Sequence, residues 1–223
     1  MEKNKSVQNK AKLFDIRHFP MDMGRIVCSS MPLWFRLRKI YASDTAKEKI
    51  RNGALIAANH TNFYDPLMLG CCFWYRRMFF LTAEVVMQKK TVGGLLKGMG
   101  CIKIDRSICD MNAIRKAVSV LKEGHMLSVF PQGGIDREED VSAIKSGVVL
   151  MAMQAKVPIV PVYIYRKANR KERNCIVIGE PIAPLQGGMM SSMADISTYT
   201  ELVLEKMSEC RTLFEEIRRN EKW

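Results

Sequence analysis

A histidine and an aspartate stand five positions apart in residues 59–66, which read NHTNFYDP. The segment follows the short apolar run 54–58, which is typical of a buried strand. A histidine whose ring is oriented by a carboxylate can take a proton from a hydroxyl group near neutral pH. His60 and Asp65 are therefore candidates for general-base catalysis, and an enzyme is the first hypothesis.

The elements around this pair predict how it is held. A strand ending at Ala58 would place His60 at the carboxyl end of that strand, where α/β folds collect their active sites. Pro66 suits the first turn of a following helix, and Asp65 suits its N-cap. Asp65 thus has two interpretations, as a helix cap with no chemical role and as the partner of His60. The two are compatible, because a carboxylate has several acceptor positions.

Strand-like and helical patterns alternate along most of the chain. Apolar, β-branched and aromatic runs predict strands at 54–58, 78–83, 101–104, 126–130, 158–165 and 175–178. Apolar residues at helical spacing predict helices over 114–121, 144–155 and 198–217, the last starting from a capping box of Thr198 and Glu201. This order predicts a single α/β domain, with a central mixed, largely parallel sheet flanked by helices.

The N-terminal part is predicted to differ from this domain. Residues 1–22 are expected to be a flexible basic N-terminus. Residues 23–45 are expected to be helical, with a break near Pro32, and they interleave apolar and aromatic side chains with basic ones. That composition suits an amphipathic helix lying in membrane headgroups, and also an ordinary helix packed on the core. The remaining residues, 46–223, are the predicted catalytic domain.

Composition limits the choice of partners. The formal charge of +12 favours an anionic partner, such as nucleic acid, acidic lipid, a phosphorylated substrate or an acidic carrier protein. The basic stretch 166–173, RKANRKER, is either a solvated loop or part of an anion-binding face. Nucleic acid is disfavoured, because the sequence has neither an RNA-binding aromatic motif nor zinc-finger spacing. A serine hydrolase is disfavoured too, because no G-x-S-x-G elbow is present.

The seven cysteines show no metal-binding spacing, which predicts reduced, buried thiols and no metal site. No signal peptide is recognisable, and no stretch reaches the roughly 18 apolar residues that span a bilayer. We therefore expect a cytoplasmic protein that lies peripherally on the inner face of the cell membrane.

Three more segments follow the first in a particular order. Residues 100–107 read GCIKIDRS, residues 130–134 read FPQGG, and residues 157–163 read VPIVPVY. Together with NHTNFYD they resemble the four sequence boxes of the glycerolipid acyltransferase family, of the 1-acylglycerol-3-phosphate acyltransferase type. The segment IGEPIAP at 178–184 is also similar to one common in these enzymes. The resemblance extends over about residues 25–215.

The resemblance implies direct acyl transfer. His60 would deprotonate the acceptor alcohol while Asp65 orients its ring, and the oxygen would attack the thioester of acyl-CoA or acyl-acyl-carrier-protein. No acyl-enzyme, cofactor or metal is implied. The implied acceptor is 1-acylglycerol-3-phosphate, giving phosphatidic acid, and the alternative is another alcohol or lysolipid. The implied partners are these two substrates, an anionic membrane surface and, for one donor type, acyl carrier protein, but no nucleic acid.

The second box supplies basic candidates for the acceptor's phosphate. Arg106 matches the family's phosphate-binding arginine, and a guanidinium can hold a phosphate through two parallel hydrogen bonds. The alternative for Arg106 is a surface ion pair with Asp105 or Asp110. Lys103 lies on the other face of the predicted strand and is the weaker candidate.

The third box departs from the family pattern. The family has glutamate where this chain has Gln132, which can hydrogen-bond an acceptor hydroxyl but brings no negative charge. Gly133 and Gly134 form either a plain tight turn or a turn whose backbone amides face an anion. Asn59, which opens the first box, is assigned to the substrate site with them. The departure concerns the acceptor side, because His60 and Asp65 are intact.

Overall fold

The computed structural model of the protein describes residues 19–83, 94, 96, 98–105, 110–131, 146–169, 172–184 and 193–221. Four of the predicted site residues lie outside this part of the chain: Arg106, Gln132, Gly133 and Gly134. Most of the N-terminal stretch expected to be flexible, residues 1–18, also lies outside it.

The described strands form one seven-stranded sheet. They are β1 (Leu37–Tyr41), β2 (Ala54–Ala58), β3 (Met78–Ala83), β4 (Cys101–Ile104), β5 (Met126–Val129), β6 (Ile159–Tyr165) and β7 (Asn174–Ile178). The spatial order is β1-β7-β6-β2-β5-β3-β4. Strands β6, β2, β5, β3 and β4 are mutually parallel, whereas β7 is antiparallel to β6 and β1 is parallel to β7. The mixed, largely parallel sheet predicted from the sequence is confirmed.

The described helices lie on both faces of this sheet. They are α1 (Phe19–Phe35), α2 (Asp44–Lys47), α3 (Asp65–Cys72), α4 (Met111–Lys122), α5 (Ser146–Ala155) and α6 (Met193–Asn220). Side chains of β2 enter the two main cores alternately. Leu55 and Ala57 pack with residues of α4, α5 and α6, whereas Ile56 packs with residues of α3. A strand covered on both faces is apolar throughout, which explains the run ALIAA in β2.

The parallel strands give the sheet two distinct edges. We call the edge where β2, β5 and β6 end the carboxyl edge, and the opposite one the amino edge. Since these strands are parallel, the segments that follow them all start at the carboxyl edge. Strands β1 and β7 run the other way, so Tyr41 and Ile178 end at the amino edge.

The N-terminal helix differs from the prediction at both ends. Helix α1 begins at Phe19, passes through Pro32 and ends at Phe35, where Arg36 has the left-handed φ of 49°. Residues 37–41, predicted to be helical, form the edge strand β1, which pairs with β7 and buries Ile40. The predicted boundary at residue 46 was therefore wrong, because β1 belongs to the same sheet as the catalytic domain.

The start of the last helix was also predicted wrongly. Helix α6 is already formed at Met193, so Thr198 and Glu201 lie inside it and form no capping box at its start. The helix extends upstream because Ile196 and Tyr199 are buried and continue its apolar face. Among the described residues, the structure contains no helix both long and apolar enough to cross a membrane.

Candidate active site

His60 and Asp65 are brought into contact by the loop that follows β2. The Nδ1 atom of His60 lies 3.1 Å from Oδ2 of Asp65. The Asp65 side chain is fully buried, whereas the His60 side chain is 15% exposed. A carboxylate only accepts hydrogen bonds, so a neutral His60 carries its proton on Nδ1 and has its lone pair on Nε2. This is the tautomer that a general base requires.

The carboxylate of Asp65 also organises the loop. Its Oδ2 accepts hydrogen bonds from the backbone amides of Thr61 and Asn62, each at 2.7 Å. Asp65 is the first residue of α3 and Tyr64 is the N-cap, so the predicted capping role of Asp65 was wrong. The carboxylate accepts amides that precede the helix instead of those in its first turn. Pro66 does lie in that first turn, as predicted.

Two buried polar atoms in this loop have no hydrogen-bond partner, namely Oδ1 of Asp65 and Oγ1 of Thr61. Buried unpaired polar atoms are rare, and functional sites are one place where they occur. All the hydrogen bonds of the Asp65 carboxylate therefore converge on Oδ2, the oxygen that faces His60.

Phe130 packs flat against the imidazole of His60. The two ring centroids are 4.1 Å apart and the rings are inclined by 21°. Phe130 directly follows β5, which pairs in parallel with β2, so both residues emerge at the carboxyl edge. The stacked ring restricts rotation of the imidazole about its bond to the chain. In the sequence, Phe130 is marked only by its aromatic type and by its place at the start of FPQGG.

Asn59 has a different position from the one expected of a substrate ligand. Its side chain is fully buried, and its amide nitrogen donates to the carbonyl oxygen of Ile164 at 2.9 Å. Its side-chain oxygen accepts from the Ile164 amide at 2.6 Å. Both ends of the Asn59 side chain thus bind the neighbouring strand β6. This geometry favours a structural role, which fixes the end of β2 just before His60.

Lys103 lies on β4 and is exposed. Strand β4 is three places away from β2 in the sheet, which at about 4.8 Å per strand is roughly 14 Å. Oδ2 of Asp110 accepts the amide of Asp105 at 3.2 Å. Asp110 also caps α4, and the N–H groups of Ala113 and Asp105 lower the pKa of its carboxyl group. Asp105 and Asp110, which precede and follow Arg106 in the sequence, are thus joined by a hydrogen bond.

The rim of the site is apolar. Phe63 and Tyr64 lie between His60 and Asp65 in the chain, and they are 63% and 52% exposed. Their rings meet edge to face, with centroids 6.1 Å apart.

Within the described residues, no group of three or more His, Cys, Asp or Glu side chains is placed to hold a metal ion.

Comparison with known proteins adds independent information. The family model described as Acyltransferase matches residues 40–165. A 1-acyl-sn-glycerol-3-phosphate acyltransferase of Bacillus subtilis (strain 168) is 25% identical over 171 residues, which are 74% of this chain and 85% of that protein. A protein of the same name from Borreliella burgdorferi is 28% identical over 155 residues, which are 67% of this chain and 60% of that protein.

Among solved structures, the chain is similar to the 1-acyl-sn-glycerophosphate (LPA) acyltransferase PlsC from Thermotoga maritima. The TM-score is 0.60 at 19% sequence identity, and the match covers 93% of this chain and 82% of that one. At this identity the similarity shows a shared fold.

Proposed function

The chain belongs to the acyltransferase family, and on that premise we propose that it transfers a fatty acyl group from a thioester to a lysophospholipid hydroxyl. The acceptor is 1-acylglycerol-3-phosphate and the product is phosphatidic acid, as the names of the relatives suggest. The observation that carries this proposal is the contact of His60 Nδ1 with the buried carboxylate of Asp65.

The chemistry follows from the tautomer that Asp65 imposes. Nε2 of His60 takes the proton of the acceptor hydroxyl while the hydroxyl oxygen attacks the carbonyl carbon of the thioester. The tetrahedral intermediate bears a negative oxygen, which backbone amides can stabilise. Its collapse breaks the carbon–sulfur bond, and the leaving thiolate takes the proton from His60. The products are an ester and a free thiol, and the enzyme returns to its starting state without a covalent intermediate.

The donor is acyl-CoA or acyl-acyl-carrier-protein, and the acceptor phosphate is assigned to Arg106, with Lys103 as the weaker candidate. Gly133 and Gly134 are assigned to the anion-facing turn. Support for these assignments comes from the four sequence boxes and from the order of the strands that precede them, since the parallel strands β2, β3, β4 and β5 are adjacent.

The direct test is a transfer assay with the full chain. Labelled acyl-CoA or acyl-acyl-carrier-protein is offered with 1-acylglycerol-3-phosphate, and His60→Ala is compared with His125→Gln. His125 is a buried histidine at the amino edge, where it contacts Phe79. We expect phosphatidic acid from the parent and from His125→Gln, and a loss of about 10²–10⁴-fold for His60→Ala. Full activity of a folded His60→Ala variant would refute the mechanism.

A second candidate function is acyl transfer to a different alcohol or lysolipid, favoured by Gln132 where the family has glutamate. A panel of lysophospholipids, assayed with the parent and with Gln132→Glu, separates the two candidates. Transfer by the parent only to another acceptor would establish the second candidate. An unchanged acceptor preference in Gln132→Glu would exclude residue 132 as the selector.

We further propose that the carboxyl edge faces an anionic membrane, on the cytoplasmic side. Phe63 and Tyr64 expose aromatic rings at this edge beside His60. The loop after β6 starts at the same edge and presents the exposed residues Arg166 and Arg173. Apolar rings flanked by basic groups suit the interfacial region of a membrane.

Vesicle sedimentation tests this orientation. We expect binding to increase with anionic lipid content, to fall with ionic strength, and to weaken in Phe63→Ser/Tyr64→Ser. Trp74→Ser is the matched control, because Trp74 is an exposed aromatic residue at the amino edge. Binding that is insensitive to salt and to lipid charge would contradict the electrostatic part of the proposal. Equal weakening by both variants would contradict the orientation.

A further inference from the structure

A basic cleft lies at the amino edge of the sheet, opposite His60. It is formed where β1 and β7 end, beside α2 and the turn that follows α3, and its volume is 170 Å³. Strand β2 separates the two edges, and its five residues span about 17 Å. The cleft is therefore distinct from the His60 site and is not used by the mechanism described above.

Three lysines give the cleft its charge, since its lining among the described residues includes Lys39, Lys47 and Lys49 and one acid, Glu48. The ammonium group of Lys39 is anchored, because Nζ donates to the carbonyl oxygen of Cys72 at 2.9 Å. An ammonium group has three donors, so this bond leaves capacity for a ligand. Lys47 is paired with Asp44 in an exposed contact, which contributes little and is easily exchanged.

Aromatic rings line the same cleft. Trp74 is 46% exposed and lines it together with Tyr41 and Tyr75. Burial raises the pKa of both tyrosines further above neutral pH. Nζ of Lys49 lies over the Tyr75 ring, 5.8 Å from its centroid, so a cation–π contact holds this ammonium group in the cleft beside Trp74.

We propose that this cleft binds a soluble phosphorylated ligand that carries a flat ring, which is the chemistry of a nucleotide. The lysines bind the phosphate groups as point charges, and the exposed ring of Trp74 stacks on the flat ring of the ligand. The volume of 170 Å³ takes the phosphate groups and is too small for a whole nucleotide or an acyl chain, so the ring lies outside it against Trp74. A free nucleotide and the nucleotide end of coenzyme A share this chemistry.

Calorimetric titration of the full chain tests the proposal. Adenosine 3′,5′-bisphosphate is the first probe, followed by coenzyme A, ATP, inorganic phosphate and anionic phospholipid vesicles. The variant is Lys47→Gln/Lys49→Gln, which leaves the anchored Lys39 in place. Lys116→Gln/Lys122→Gln is the matched control, because it removes the same charge from α4. Trp74→Leu tests the contribution of the ring.

We expect saturable binding of the bisphosphate to the parent. Its affinity should fall about tenfold or more in the cleft variant, because charge-assisted hydrogen bonds are lost, and should be unchanged in the control. Tighter binding of coenzyme A than of ATP would identify the ligand as the nucleotide end of coenzyme A. Tighter binding of ATP would identify it as a free nucleotide, and either result supports the proposal. His60→Ala should bind the bisphosphate with the affinity of the parent. Loss of binding in His60→Ala would assign the ligand to the catalytic centre and overturn the proposal.

Three other results would overturn it. The first is the lack of saturable binding to any nucleotide probe. The second is equal affinity of the parent and the cleft variant. The third is a preference for inorganic phosphate or for anionic vesicles over every nucleotide, which would exclude the ring or the soluble ligand. None of these results depends on acyl transfer, so failure of the acyltransferase proposal remains distinguishable.

Discussion

In the part of the chain that the structure describes, two aspartates are fully buried, and they are held in opposite ways. Asp22 on α1 accepts two hydrogen bonds from Arg77, at 2.9 and 2.8 Å, and one from Arg25 at 2.9 Å. Asp65 accepts from two backbone amides and from His60. In the described part of the chain, Asp65 has no ion pair with lysine or arginine.

The difference separates a structural carboxylate from a chemical one. Two guanidinium groups neutralise Asp22, and Arg25 also donates to the carbonyl oxygen of Trp74 at 2.9 Å, so the cluster joins α1 to the turn before β3. Neutral amides compensate the charge of Asp65 only partly. Its negative charge therefore remains available to stabilise the imidazolium that forms when His60 takes a proton.

The largest effect we predict is on catalysis, in Asp65→Asn. An amide oxygen can still accept the Thr61 and Asn62 amides, so the loop should fold, but it carries no charge to stabilise protonated His60. We expect kcat to fall by about 10²–10⁴-fold with a small change in the midpoint of thermal unfolding. A kcat within tenfold of the parent would make Asp65 a structural residue like Asp22.

The converse effect is predicted for Asp22→Asn. Removing one partner leaves Arg77 buried with its charge uncompensated, which should lower the free energy of unfolding by about 3–5 kcal/mol. The folded fraction should keep its kcat within about twofold. Urea unfolding and transfer assays on the same preparations measure both quantities. Asp44→Asn, which breaks the exposed pair with Lys47, is the control and should leave stability unchanged.

If Asp22→Asn unfolds at the same urea concentration as the parent, the cluster at α1 does not stabilise the fold as inferred. If the folded variant loses activity as severely as Asp65→Asn, the distinction between the two carboxylates fails.

The smallest effect concerns the ring stacked on His60. Phe130→Leu keeps an apolar side chain of similar size but removes the aromatic contact, which is worth about 0.5–1.5 kcal/mol. We expect kcat to fall about threefold to tenfold, and Phe130→Tyr to retain activity. Equal activity of Phe130→Leu and the parent would show that Asp65 alone orients the imidazole.

Much of the sheet was predictable from local pattern. The predicted strands 54–58 and 78–83 agree with β2 and β3, because a buried strand requires a short, largely apolar run. The predicted strand 101–104 agrees with β4, an edge strand whose apolar residues alternate with the exposed Lys103. The residues 37–41 were not predictable in this way. Their sequence, LRKIY, has two adjacent basic residues and no alternation, and it closely follows a helix, so only pairing with β7 makes it a strand.

The roles of Asn59 and Asp22 were beyond sequence reasoning for a related reason. Asn59 binds Ile164, 105 positions away in the chain, and Asp22 binds Arg77, 55 positions away. Such contacts join residues from different helices and strands, so the spacing of neighbouring residues in the sequence cannot predict them. Asn59 and Asp65 are both buried polar residues that look like site residues from sequence, yet their hydrogen-bond partners give them different roles.

By itself, the sequence determined the chemistry available to this protein. An aspartate follows a histidine by five positions, directly after an apolar strand. This arrangement is local, because the backbone amides between the two residues hold the carboxylate against the imidazole. The order of the strands could come only from the tertiary structure. Parallel pairing of β2 with β5 brings Phe130 onto His60, and the reversed direction of β1 and β7 creates the basic cleft at the amino edge. Local spacing sets which groups can react, whereas long-range pairing of strands sets what surrounds them.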